Sequence, residues 1–79
     1  MNKMKILKMI VEVDKKETIT TRDDDLELIE ADFNDLMYHK YIFKSKWVKR
    51  VTERSNYDGT RTIKFTLDNG CKYTFIVKD

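Results

Sequence analysis

The chain has no proline, two glycines, one cysteine and one histidine, and each scarcity closes off a kind of chemistry. A lone Cys71 excludes an internal disulfide, and no cluster with metal-ligand spacing accompanies it. One histidine, His39, cannot build a two-histidine metal site and does not readily anchor a catalytic triad. Neither glycine stands in a phosphate-cradling motif; Gly59 and Gly70 both fall in turn sequences, Tyr57-Asp58-Gly59 and Asp68-Asn69-Gly70. The acidic run Asp23–Asp25 lacks the glycine and distal glutamate of a calcium-binding loop. No stretch approaches the ~20 apolar residues that a membrane-spanning helix needs. The opening MNKMKILKMIVEV has a faint signal-peptide look, but Lys8 and Glu12 interrupt it and no small-residue cleavage site follows. The expectation is a cytoplasmic protein with a reduced thiol, no cofactor, no metal and no catalytic constellation. Cys71 alternates with core positions and reads as a buried, inert thiol.

What remains is enough for a core. Apolar residues make up 41% of the 79 and charged ones 38%, a balance that suits one folded domain spanning residues 1–79 rather than a disordered chain. So short a chain buries only about 60% of the surface its unfolded form exposes. Its stability rests on packing alone or on self-association, and a homodimer is one expectation. The Lys/Asp/Ile/Thr-rich, proline-free alphabet suits an AT-rich genome such as that of a phage or mobile element.

Charge is segregated along the chain. Residues 12–35 hold ten acids against three bases, and residues 38–64 hold eight bases against two acids, beneath a formal net charge of only +2. Such asymmetry bears on partners rather than on fold.

The C-terminal third is the most legible. Ile63, Phe65 and Leu67 alternate with polar residues, as do Cys71, Tyr73, Phe75 and Val77. A two-residue turn between them would mix faces. A three-residue loop with Gly70 left-handed pairs Leu67 with Cys71, Phe65 with Tyr73 and Ile63 with Phe75. The same device at Tyr57–Gly59 pairs Val51 with Phe65. Extending that strand backwards predicts an inner face of Tyr41, Phe43, Trp47 and Val51, with Lys49 and Glu53 as misfits near a sheet edge. Upstream, Leu26, Ile29, Phe33, Leu36, Met37 and Lys40 follow helical spacing. Thr21 or Asp23 can cap this helix, and its acids lie at the start and its bases at the end, as the dipole prefers. A competing pattern makes Leu26–Glu30 a strand. The N-terminus reads as a β-hairpin, although Ile6, Met9, Ile10 and Val13 also fit a helix. The predicted fold class is α+β: an antiparallel sheet of about five strands in the order β-β-α-β-β-β, with one helix packed on one face.

These assignments define two candidate surfaces. The acidic one is the outer helix face with Asp25, Glu27, Glu30 and Asp35. The basic one is the outer sheet face with Lys44, Lys46, Arg50, Arg54, Lys64 and Lys72, interleaved with Thr52, Thr62, Thr66 and Thr74. Spaced carboxylates on a rigid helix can imitate a phosphate track, whereas a basic face can neutralise phosphates and release their counterions. Alternation sends the rings inward, away from any base-stacking role. Two functional expectations follow. The favoured one is a small non-enzymatic protein-binding module, a phage or mobile-element accessory protein that engages or inhibits a host nucleic-acid-handling or defence protein. The alternative is a nucleic-acid-binding module that uses the open sheet face. Neither involves a membrane.

Overall fold

The computed structural model describes residues 4–79. Strands β1 (Lys5–Val13) and β2 (Lys16–Thr21) precede helix α1 (Arg22–Met37), a π-helical turn (Tyr38–Ile42) and strands β3 (Val48–Ser55), β4 (Thr60–Leu67) and β5 (Lys72–Lys78). All five strands join one antiparallel sheet in the order β2-β1-β5-β4-β3. The fold is therefore α+β, with the helix packed on one sheet face.

That order sets the length of the helix. The chain leaves β2 at one edge and must re-enter at β3 on the other, four interstrand gaps or ~19 Å away. The regular part of α1, from Leu26 to Met37, spans ~18 Å, and the capped turn before it and the π-helical turn after it complete one pass across the sheet. Ile29, Phe33 and Leu36 form the buried stripe of α1 and meet Ile6, Met9, Val48, Ile63, Phe65, Leu67, Phe75 and Val77. Phe33 stands edge-on to Phe65 and to Phe75, with centroids 6.0 and 5.1 Å away, and those two rings are themselves nearly perpendicular. Offset and edge-to-face arrangements suit the ring quadrupole.

The three hairpins use two kinds of turn. Asp68–Gly70 and Tyr57–Gly59 are three-residue loops as expected, with Gly70 at φ +91° and Gly59 at φ +86°. Phe65 pairs with Tyr73, Ile63 with Phe75 and Val51 with Phe65. In each loop the second residue accepts a hydrogen bond two positions on: Asp58 from the Thr60 N–H (3.0 Å) and Asn69 from the Cys71 N–H (3.0 Å). The Thr60 hydroxyl also donates to Asp58. These bonds hold the Asp58 carboxyl below the usual carboxylate range. The N-terminal segment is a hairpin rather than a helix. Its two-residue turn puts Asp14 at φ 52° and Lys15 at φ 66°, the left-handed pair that a type I′ turn requires.

Two bulges decide which residues face the core. Leu7 is the extra residue between the pairs Ile6–Val77 and Lys8–Ile76, and it brings Ile6 inward beside Met9. Lys49 is the extra residue between Val48–Leu67 and Arg50–Thr66. It turns Val48 into the core and leaves Lys49 in solvent on the edge strand, where a misfit charge was expected. Glu53, the other misfit, meets Arg61, which also holds Asp79 at 2.9 Å.

The turns and the rings give measurable consequences. Lys15→Gly should stabilise the fold by about 1 kcal/mol in chemical denaturation, because it removes a side chain from a left-handed position. Gly59→Ala and Gly70→Ala should each cost about that much. An added Cβ meets nothing within 4 Å at either site, so the cost is backbone conformation alone. Phe33→Ala should cost about 3–5 kcal/mol in the same measurement, a large fraction of the stability of so small a domain.

Candidate functional site

The acidic side of α1 is built by its two caps. The Asp24 carboxylate accepts from the backbone N–H and the hydroxyl of Thr21, at 3.2 and 2.8 Å, and these bonds hold its carboxyl below the ordinary value. Thr21 is the N-cap, as expected. Asp25 then leaves helical geometry (φ −161°, ψ 78°), and its Oδ1 accepts the Leu28 N–H at 3.1 Å. It is a second N-cap, from which the regular helix starts at Leu26. Asp25 is thus exposed but engaged locally, while Glu27, Glu30 and Asp35 stand outward in solvent. The strand reading of Leu26–Glu30 is excluded by the helix. Half-buried Asp32 differs from its neighbours: burial, and then the nearby Asp35 charge, raise its pKa. Tyr73 is raised in turn, first by burial, then by Asp32 and Cys71. Cys71 is half-buried against the core rather than fully enclosed.

The basic sheet face is smaller than the sequence suggests. Arg50, Arg54, Lys64 and Lys72 lie on the face away from α1, with Thr52, Thr62, Thr66 and Thr74 between them. Thr52, Glu53, Arg54, Thr62, Lys64 and Thr74 line a shallow depression there. Lys44 and Lys46, assigned to this face by alternation, belong instead to the loop that precedes β3, and Lys44 has φ 54°. No acid lies on the outward positions of β3–β5. However, β1 and β2 continue the same face with Lys8, Ile10, Glu12, Glu17 and Ile19, so two acids and a small apolar strip of Ile10, Ile19 and the β5 residue Ile76 stand beside the basic residues.

The larger correction concerns the rings. Tyr41 and Phe43 were expected on an inner strand face, yet they are 53% and 63% exposed, and Ile42 between them is 70% exposed. The cause is that the helix does not stop at Met37. The Phe43 N–H donates to the Tyr38 carbonyl (2.9 Å) and the Ser45 N–H to the His39 carbonyl (3.0 Å), so the chain winds on as a wide turn to Phe43 and reaches β3 at Val48 through a short loop. His39 anchors the underside. Its ring stands edge-on to half-buried Trp47 with centroids 4.9 Å apart, and its Nδ1 shares a hydrogen bond with the Ser45 hydroxyl (3.1 Å). Tyr38 stacks on Phe43 at 6.1 Å and 11°. The result is a held corner that presents Tyr38, Tyr41, Ile42 and Phe43 to solvent, with Lys44 and Lys46 following. An exposed apolar cluster of this kind marks an interaction surface more often than a solvated one.

Comparison with family models, curated proteins and solved structures finds no match to this chain. No helix of the described residues is long and apolar enough to cross a membrane, and among them no group of three or more His, Cys, Asp or Glu could hold a metal ion.

The raised pKa of Asp32 has a testable sign. A carboxyl whose folded pKa lies above its unfolded value of about 3.9 loses stability as pH rises through the interval between the two. Above that interval the folded state carries the full cost of the charge. Asp32→Asn should therefore raise Tm near neutral pH, and the gain should vanish once the solution is acid enough to protonate Asp32 in both states. A thermal-melt series across pH reads this directly.

Proposed function

We propose that the chain is a small, non-enzymatic protein-binding module, cytoplasmic, and that the corner Tyr38–Phe43 is its main contact. The observation that carries this reading is the exposure of Tyr38, Tyr41, Ile42 and Phe43 on a turn held by its own backbone bonds and by His39 against Trp47. Tyrosine and phenylalanine are enriched at protein interfaces, and a rigid presentation lowers the ordering cost of binding. The exposed carboxylates of α1 supply a second contact for a partner with a basic surface, as nucleic-acid-handling and defence proteins have. The amino-acid alphabet supports a phage or mobile-element accessory role.

A second reading has its own observation. Arg50, Arg54, Lys64 and Lys72 share one open sheet face with threonines and with no acid at the outward positions of β3, β4 and β5, which supports binding of a polyanion. The threonine-lined depression is shallow and no ring stands on that face, so the protein-binding reading is favoured.

Capture from lysate, with and without nuclease, separates the two. Under the favoured reading a protein partner survives nuclease, and the double variant Ile42→Asp, Phe43→Ser loses it while remaining folded by circular dichroism. Arg54→Glu with Lys64→Glu then leaves capture intact. If instead only nucleic acid is recovered, and the Arg54/Lys64 variant abolishes it with a shallower salt slope, the protein-binding reading fails.

A further inference from the structure

The exposed residues of the helix and of the corner are continuous. Leu28, Ala31, Asp35, Tyr38 and Ile42 recur at spacings of three and four, on the side of the rod opposite buried Ile29, Phe33 and Leu36. Leu28 is 44% exposed, so the stripe has an apolar residue in its N-terminal half as well as at the corner. Charge along the same rod is graded. Asp23, Asp24, Glu27 and Glu30 flank the stripe at one end, whereas between Asp35 and Glu53 the sequence has five Lys and Arg and no acid. An acidic, leucine-bearing first half and a basic, aromatic second half are complementary to each other in reverse order.

We infer that a second copy of this chain docks along this seam, antiparallel and about a two-fold axis near Asp35, so that the acidic half of each rod meets the basic corner of the other. This rests on the reading of the corner as a protein contact and names its occupant. A dyad near residue 35 puts Ile42 opposite Leu28 of the second copy, and Tyr38 opposite its Asp32 and Ala31. It also brings Lys44 and Lys46 to its first turns, with Glu27 within reach. Antiparallel helix dipoles favour the same arrangement. Such a contact is isologous and closes on itself, giving a dimer rather than a fibre. Asp35, at the axis, lies 3.7 Å from Nε2 of its own His39, which offsets the approach of two like charges when that ring is protonated. The open sheet face takes no part.

Sedimentation velocity on the whole chain tests this with the protein itself as probe. The wild type should shift from monomer towards dimer with rising concentration at about 0.05 M salt, and the shift should weaken at about 0.5 M. Glu27→Lys with Glu30→Lys, and separately Lys44→Glu with Lys46→Glu, should each lower self-association at least about tenfold. All four residues are exposed, so both variants should fold. Mixed together, the two variants regain complementary halves and should associate as tightly as the wild type. Arg54→Glu with Lys64→Glu should dimerise normally. A wild type that stays monomeric at low salt and high concentration, a mixture that does not associate, or a dimer lost in the Arg54/Lys64 variant would each overturn the proposal. If the monomeric protein still captures another protein through Ile42 and Phe43, only the identity of the occupant falls. If capture is lost as well, the corner is no protein contact at all.

Discussion

Everything in this molecule hangs from the packing of Phe33 between Phe65 and Phe75. A chain this small has one layer of sheet and one helix, so a single interface must supply nearly all the apolar burial. Phe33 comes from the middle of the helix, and the two rings below it come from the adjacent central strands β4 and β5. Three nearly perpendicular rings fix both the height of the helix and its position across the sheet. The remaining core residues, Ile29 and Leu36 above and Ile6, Met9, Val48, Ile63, Leu67 and Val77 below, fill the space on either side.

Once the helix is fixed there, its direction is constrained as well. It must run from the β2 edge to the β3 edge, because β1 pairs with β5 and occupies the interior of the sheet. The pairing of first and last strands makes the sheet depend on long-range contacts, and it leaves both edges to strands rich in charge and threonine. β2 reads KETITT, and β3 carries Lys49, Arg50, Glu53 and Arg54. Charged side chains and a bulge on an edge discourage pairing with another sheet. That solubilising role accounts for part of the basic character of β3.

Where local rules act alone, the amino-acid sequence was readable. Gly59 and Gly70 stand where alternation demands a three-residue loop, and the register of β3, β4 and β5 follows from them. Thr21, Asp24 and the spacing from Leu26 to Met37 mark the helix. The segment from Tyr38 to Trp47 was not readable, for a physical reason. Tyr41, Phe43 and Trp47 alternate as a strand would, but a helix end that widens into a π turn also exposes and buries residues at short intervals. The winning arrangement depends on His39 meeting Trp47, a tertiary contact. A signal was nonetheless present: continuing the alternation put Lys49 and Glu53 on an apolar face. Lys49 on a supposed inner face implied a change of parity, and the bulge there is that change; Glu53 keeps the inner parity on the edge strand, where Arg61 meets it. Of the candidate sites, Glu27, Glu30, Asp35, Arg50, Arg54, Lys64 and Lys72 stand where the pattern put them. Asp25 is taken up as a cap, and Lys44 and Lys46 move with the corner.

That displacement alters the electrostatic picture. Charge segregated in sequence was expected to become two opposite faces, acidic outside the helix and basic outside the sheet. The sheet face keeps four of its six bases, but two others sit at the end of the helix whose beginning is acidic. The helix is therefore bipolar along its axis as well as opposed to the sheet across its thickness. Opposed faces pair head to tail, which gives rings or open filaments, whereas a bipolar rod pairs with itself reversed, which closes as a dimer. A small protein with both a bipolar rod and an exposed apolar stripe along it has a finite way to cover that stripe. The basic sheet face, carrying Arg50, Arg54, Lys64 and Lys72, stays in solvent when it does.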